Sequence, residues 1–325
     1  MKMENISFKL QFGKMENRHI FHHIGRCSQV FLVLCWVVLF LCVCGCIEQQ
    51  EVSPSHSLVV ACTIPPQEEF IRAVAGDYPV SVLVMVPPGA SPHTFEPTPS
   101  QIAGLESADL YIALGSGIEF ENRWMERITR IYPDMPIINA SHTIVVHRVA
   151  HTHEHEGEEA DQESDHFDPH VWLSLQNAAR IVNTTAEAMA DARPEMRDTF
   201  YSNRDKYLEN LADIDQEIRE SFKELKSRTI LVFHPAFGYF CRDYDLTQMA
   251  VEENSREPSA KQLADLITQA KSMGITIVFA EPEESTKQAE TLARELNGTM
   301  VLISPLAGDY LENMRQIAER ISGVS

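Results

Sequence analysis

His93, His170 and His234 stand far apart in the chain, each in a short context of proline, glycine and aromatic residues: PPGASPHTFEP, FDPHVWL and VFHPAFGYF. Imidazole is a common ligand for zinc and other first-row metals. Three protein ligands leave one coordination position open, which suits an exchangeable site better than a closed structural one. Taken singly, each of the three reads equally well as an ordinary loop or capping histidine. Their spacing forms no local metal motif, so the case depends on their contexts and on a fold that brings them together. Between the first two lies a segment, 147–166, crowded with His147, His151, His153, His155 and His166 and with seven acidic residues from Glu154 to Asp165. It reads either as a solvated, disordered insertion or as a low-affinity collector of cations. Its HEHEGEE stretch lacks the HExxH spacing that sets two histidines on one helical face, and so gives no support to a metalloprotease.

The elements that must position these residues follow from the hydrophobic pattern. Strand-like runs at 57–63, 80–86, 109–114 and 136–138 alternate with helical stretches at 67–75, 100–107 and 118–131, and Ser174 is placed to cap a helix reaching residue 192. A second alternating unit has strands at 229–233, 246–251, 275–280 and 299–303, with helices at 260–272, 286–297 and 310–321. Such alternation builds mainly parallel sheets with helices on both faces. Between the two units Pro194 suits a helix start, and 195–225 contains no proline or glycine. Phe200, Tyr207, Leu211, Ile214, Ile218 and Phe222 recur there at amphipathic-helix spacing, which predicts a rod of roughly 45–50 Å. The expected fold class is therefore α/β: two lobes, each a mainly parallel sheet flanked by helices, joined by one long rigid helix. The lobes span 57–193, including the segment 147–166, and 227–325, with the linking helix at 194–226. Loops after the carboxyl ends of parallel strands are where such folds keep ligands. His93, His234 and Glu281 each follow an expected strand and His170 lies in the loop leaving the first lobe, so all four can face one cleft.

The 325 residues suit two domains, and 44% hydrophobic content is enough for real cores. The balance of 47 acidic against 27 basic residues excludes nucleic acid as a partner, because phosphate needs the opposite sign, and favours a cation. Lys14, Arg18 and Arg26 precede an apolar run at 30–43, long enough for a signal sequence and short of the ~20 residues of a membrane span. Val43-Cys44-Gly45-Cys46 follows and resembles a prokaryotic lipobox. It implies a signal peptide at 1–45, a lipid on Cys46 and a polar tether at 46–56; an uncleaved signal anchor is the alternative. Either reading places the remainder outside the cytoplasmic membrane, at the cell surface or in a periplasm. Met3 and Met15 are alternative starts. Cys62 and Cys241 make no disulfide framework and are expected as separate buried thiols.

The order PPGASPHTFEPTPSQ, DPHVWLS, FHPAFGYF, REPSAKQL and FAEPEESTKQAETLA, interrupted by the histidine-rich segment, resembles the metal-binding proteins of ABC importers for zinc or manganese, the cluster A-I group, with the zinc-uptake component nearest. The resemblance runs from about residue 57 to the end. It implies two α/β lobes bridged by a rigid helix, metal ligands at His93, His170 and His234, and a monomeric receptor that hands its ion to a membrane permease driven by an ATPase. Two positions depart from the pattern. Many members carry a ligating aspartate after the last strand, where this chain has Ser304, a poor ligand for a divalent metal; the fourth position falls to water or to Glu281, which is otherwise an interlobe hydrogen-bonding residue. Some relatives have glutamate before the first histidine, and here it is Pro92. Manganese-type relatives place a carboxylate third, whereas the imidazole of His234 favours Zn2+. For the segment 147–166 the resemblance implies collection of zinc or sensing of its excess.

Three function classes remain in view. A zinc receptor for import leads, with a manganese or other divalent-metal receptor as its variant. A metal-binding surface adhesin is the second. A zinc hydrolase is the third, since three histidines and an open position can also activate water, but beyond Glu281 the sequence offers no general base and the resemblance implies no enzyme.

Overall fold

Eight runs rich in β-branched and aliphatic residues, among them LVVAC, VSVLV, TILV and IVFA, form eight strands. The computed structural model describes residues 57–147, 167–252, 258–284 and 286–323. In the first lobe β1 (Leu58–Cys62), β2 (Val80–Val84), β3 (Leu110–Ala113) and β4 (Ile137–Asn139) make an all-parallel sheet in the order β2-β1-β3-β4. In the second, β5 (Thr229–Val232), β6 (Thr247–Ala250), β7 (Ile277–Ala280) and β8 (Thr299–Leu302) repeat that order as β6-β5-β7-β8, again all parallel. The inner strands β1, β3, β5 and β7 are almost wholly buried and the outer ones partly exposed, as sheets covered on both faces require. The shared order places a topological switch point between the two inner strands of each sheet, where an α/β fold keeps its crevice.

Helices α1 (Pro65–Ala75), α2 (Pro99–Gly104), α3 (Glu119–Ile131) and α4 (Leu175–Ala192) belong to the first lobe, and α6 (Gly238–Asp243), α7 (Ala260–Ser272), α8 (Thr286–Glu295) and α9 (Tyr310–Ser322) to the second. Ser174 caps α4 as expected, its Oγ accepting from the Asn177 N–H. Between the lobes α5 (Arg197–Ser221) buries Phe200, Tyr207, Leu211, Ile214 and Ile218 and packs on α1 and α4 on one side and α9 on the other. At 25 residues it is shorter than the hydrophobic pattern predicts, roughly 37 Å. Pro194–Met196 forms a separate 3-10 turn. At the far end Phe222 caps the helix and packs on Phe240 and Tyr244, and its carbonyl accepts from the Arg228 side chain and from the Leu225 N–H.

One hydrophobic core runs through both lobes, from Phe70 and Trp172 through Tyr207 to Phe240 and Tyr310; a smaller cluster lies in each lobe alone. Polar contacts reinforce the join. The Trp172 indole donates to the Pro305 carbonyl at 2.7 Å, and the Tyr310 hydroxyl to the Trp172 carbonyl at 2.6 Å. Glu69 accepts from the Tyr207 hydroxyl and the Leu311 N–H. Cys62 and Cys241 are free and buried, and burial pushes both thiols far up, which leaves them unreactive. No described helix is long and apolar enough to cross a membrane. Residues 1–45, Cys46 and the tether lie outside the described residues.

Candidate metal centre

His93 sits in the loop that follows β2, in a turn where the Phe95 N–H donates to the Ser91 carbonyl and the His93 N–H to Ser91 Oγ. Its loop is held by α3: the Phe120 N–H donates to the Pro92 carbonyl at 3.0 Å and Arg123 to the His93 carbonyl at 2.6 Å. α3 is anchored in turn by Glu121, a buried carboxylate that accepts from the Leu114 and Gly115 N–H groups, each at 2.7 Å, and from the Thr63 hydroxyl, tying together the ends of β1 and β3. His170 precedes the 3-10 turn Val171–Leu173, and His234 lies just past β5.

These three side chains, distant in sequence, meet. His170 Nε2 is 3.2 Å from His93 Nε2 and 3.4 Å from His234 Nε2, and they form the single group of candidate metal ligands among the described residues, with donor atoms all within 4.8 Å of one another. Zinc–nitrogen bonds of about 2.0–2.1 Å in a tetrahedral shell set neighbouring nitrogens about 3.3–3.4 Å apart. The two separations from His170 fit that spacing.

The other ring nitrogen of each histidine meets a carboxylate: His93 Nδ1 and Glu119 Oε2 at 2.6 Å, His170 Nδ1 and Asp168 Oδ1 at 2.8 Å, His234 Nδ1 and Glu252 Oε2 at 3.0 Å. A carboxylate there accepts the Nδ1 hydrogen, selects that tautomer and turns the Nε2 lone pair toward the common point. Burial lowers the His170 pKa to about 4, outweighing the hydrogen bond and charge of Asp168, with His234 and His93 adding to the depression; the ring is neutral at physiological pH and its lone pair is free. Burial alone would raise Glu119, but its hydrogen bond to His93 and the charge of that ring bring it below the ordinary carboxylate value.

Glu281, at the end of β7, is buried and stands outside the converging group. Burial pushes its pKa well up, with Glu283, Glu284 and Glu252 adding to the rise, and Oε1 has no hydrogen-bond partner. Ser304 donates to Glu283 and accepts from the Leu306 N–H. Of the histidine-rich segment, His147 is described: it is exposed and its ring packs on Tyr239. His151, His153, His155 and His166 lie outside the described residues.

The orienting carboxylates escaped the sequence reading. Asp168, two residues before His170 in DPH, had a local signal. Glu119 and Glu252 reach their histidines from other elements, the start of α3 and the end of β6, and had none.

Residues 60–324 match the family model described as zinc-uptake complex component A, periplasmic, ZnuA. The zinc-binding protein AdcA of Streptococcus pyogenes is 29% identical over 301 residues, covering 84% of this chain and 57% of that protein. The zinc-binding lipoprotein AdcA of Streptococcus pneumoniae is 28% identical over 286 residues, covering 86% and 55%. The chain thus spans little more than half the length of these relatives. A crystal structure of a zinc-bound ZnuA deletion mutant superposes with a TM-score of 0.74 at 34% identity, covering 82% of this chain and 97% of that one.

Proposed function

The chain belongs to the ZnuA family of zinc-uptake components, and from that premise we propose that it is an extracytoplasmic Zn2+ receptor, which captures the ion through His93, His170 and His234 and delivers it to an ABC permease and its ATPase. The observation that carries this reading is the convergence of three histidines, with His170 Nε2 at zinc-like separations from the other two Nε2 atoms and a carboxylate on every Nδ1. Three neutral imidazoles select a borderline metal such as zinc over manganese; copper and nickel would also bind well, so availability contributes to selectivity. Glu119, Asp168 and Glu252 bring negative charge within one residue of the cation without spending a coordination position.

The fourth position belongs to water in this reading. Glu281 is the protein alternative, and would first have to give up the proton that its burial favours. Such a shell is closed enough for tight capture and open enough for transfer. The receptor acts as a monomer, held to the membrane by a lipid on Cys46, and His147, His151, His153, His155 and His166 collect zinc weakly before it enters the cleft. The family is one of substrate-binding transport components, which argues against the hydrolase reading.

Calorimetric titration of the exported part with zinc tests the assignment. One tight site is expected in the wild type and none in His170→Ala; a His170→Ala protein that binds zinc like wild type would overturn it.

A further inference from the structure

His170 belongs to the first lobe, yet the group that orients it leans on the second. Asp168 Oδ1 accepts both the backbone N–H of His170, at 2.9 Å, and the ring Nδ1 hydrogen, at 2.8 Å, so the carboxylate grips one residue twice. Its other oxygen faces the start of α6, where a Cβ added to Gly238 would stand 2.5 Å from Asp168 Oδ2. That is well inside van der Waals contact. Asp168 is buried, and its carboxylate, bonded twice to His170 through Oδ1, must shift to make room for such a Cβ. The adjacent Tyr239 holds the backbone of the same residue: its hydroxyl donates to the Asp168 carbonyl at 3.3 Å and accepts from the His147 N–H at 3.0 Å. The Asp168 N–H in turn donates to the His147 carbonyl at 2.9 Å. Gly238 is itself fixed, because the preceding N–H, that of Phe237, donates to Gln248 Oε1 on β6 at 2.7 Å.

We propose that Gly238 and Tyr239 are positioning residues for the metal centre: the second lobe, through the start of α6, sets the Asp168 carboxylate and thereby the orientation of His170. This rests on the zinc-receptor reading of the site. A ligand whose orienting group is braced from across the cleft responds to movement of the opposite lobe. Displacing α6 takes away the stop behind Asp168 and the hydroxyl on its carbonyl, and loosens His170 without any force applied to His170 itself. Lobe movement is thus converted into weaker ligation at a residue of the other lobe. A glycine at 238 is what lets the carboxylate approach this closely.

A double-mutant comparison tests the relay. Zinc dissociation constants are measured by chelator competition for wild type, Gly238→Ala, Asp168→Ala and the double variant, with His170→Ala as the control for the site. Loss of an orienting partner typically costs about 10–100-fold in metal affinity, and Gly238→Ala is expected to weaken zinc by at least about 10-fold in the wild-type background. In the Asp168→Ala background it is expected to change affinity less than about 2-fold, because the carboxylate it displaces is gone. An equal loss in both backgrounds, or no loss in the first while His170→Ala abolishes binding, overturns the relay and leaves the receptor reading standing. Wild-type affinity in His170→Ala overturns the receptor reading itself. Should Gly238→Ala lack a thermal transition, Tyr239→Phe, which removes the hydroxyl from the Asp168 carbonyl, takes its place: zinc release about threefold faster than wild type is expected, and wild-type release overturns the relay.

Discussion

At matching places in the two lobes, beyond the end of the third strand in chain order, a carboxylate is buried in quite different company. In the first lobe Glu121 reaches back from α3 to take the Leu114 and Gly115 N–H groups and the Thr63 hydroxyl. In the second, Glu281 stands at the end of β7 with Oε1 unpartnered and with Glu283, Glu284 and Glu252 for neighbours. Burial raises both pKa values, but Glu121 has hydrogen bonds to set against it, while Glu281 has further negative charge. The first lobe therefore presents His93 on a satisfied framework, and the second keeps at the end of β7 a buried acid with one oxygen unpartnered among the described residues. Preorganisation lies on one side of the cleft and an uncompensated buried acid on the other.

The strongest test removes the centre that both lobes share. Alanine at His93, His170 or His234 is expected to lower zinc affinity by more than the roughly 10–100-fold cost of an orienting partner and to leave the thermal midpoint of the metal-free protein nearly unchanged, as calorimetry and thermal unfolding would show. Next come the orienting carboxylates, where the contrast becomes quantitative. Glu252 is 20% exposed and Glu119 42%, so solvent replaces the lost charge less well in the second lobe. Glu252→Gln is therefore expected to fall nearer 100-fold and Glu119→Gln nearer 10-fold. Equal losses would remove the asymmetry between the lobes.

Glu281→Gln probes the unpartnered acid directly. Since the folded-state pKa of Glu281 lies above the unfolded one, its contribution to stability is fully present below the ordinary carboxylate range, about pH 4.3, and is lost as pH rises through the folded value. The glutamine variant, which cannot ionise, is expected to melt about 2–4 °C higher than wild type at pH 8, the shift of roughly 1 kcal/mol in a domain of this size, with the gap closing toward pH 4. A constant gap across that range would show that Glu281 ionisation contributes nothing. A loss of more than tenfold in zinc affinity would instead place Glu281 among the ligands. The smallest effect concerns the histidine-rich segment: deleting 149–165 is expected to preserve the tight site and abolish weaker ones in the same titration, and loss of the tight site would show that the segment supports the cleft.

All eight strands were legible in the chain because parallel-sheet strands are short apolar runs between turn residues, a signal that survives without knowledge of the fold. The histidine triad was legible through its three contexts, with the switch point after β1 and β5 supplying the meeting place. What stayed hidden was short or remote. α6 has six residues and starts inside FHPAFGYF, too short for a helical period to show after its proline and aromatics. Yet it carries Gly238 and Tyr239. Glu119 and Glu252 are ordinary acidic residues in a chain full of them, and only folding reveals which two face an imidazole. The linking helix is read too long because helical spacing continues through Phe222, whereas the aromatic packing of that side chain turns the chain away.

The core that runs unbroken from Phe70 and Trp172 to Phe240 and Tyr310 has a consequence for cooperativity. Lobes with separate cores could melt one at a time, and a ligand between them would have to gather two independently fluctuating halves. Here the aromatic residues at the join are shared, so the described residues are expected to unfold in a single transition. Zinc held between the sheets then stabilises the whole cooperative unit, by an amount that grows with the logarithm of free zinc over its dissociation constant. Slow amide exchange at Val60 and Leu231, deep in opposite sheets, should lengthen together on addition of the metal, although neither residue touches it.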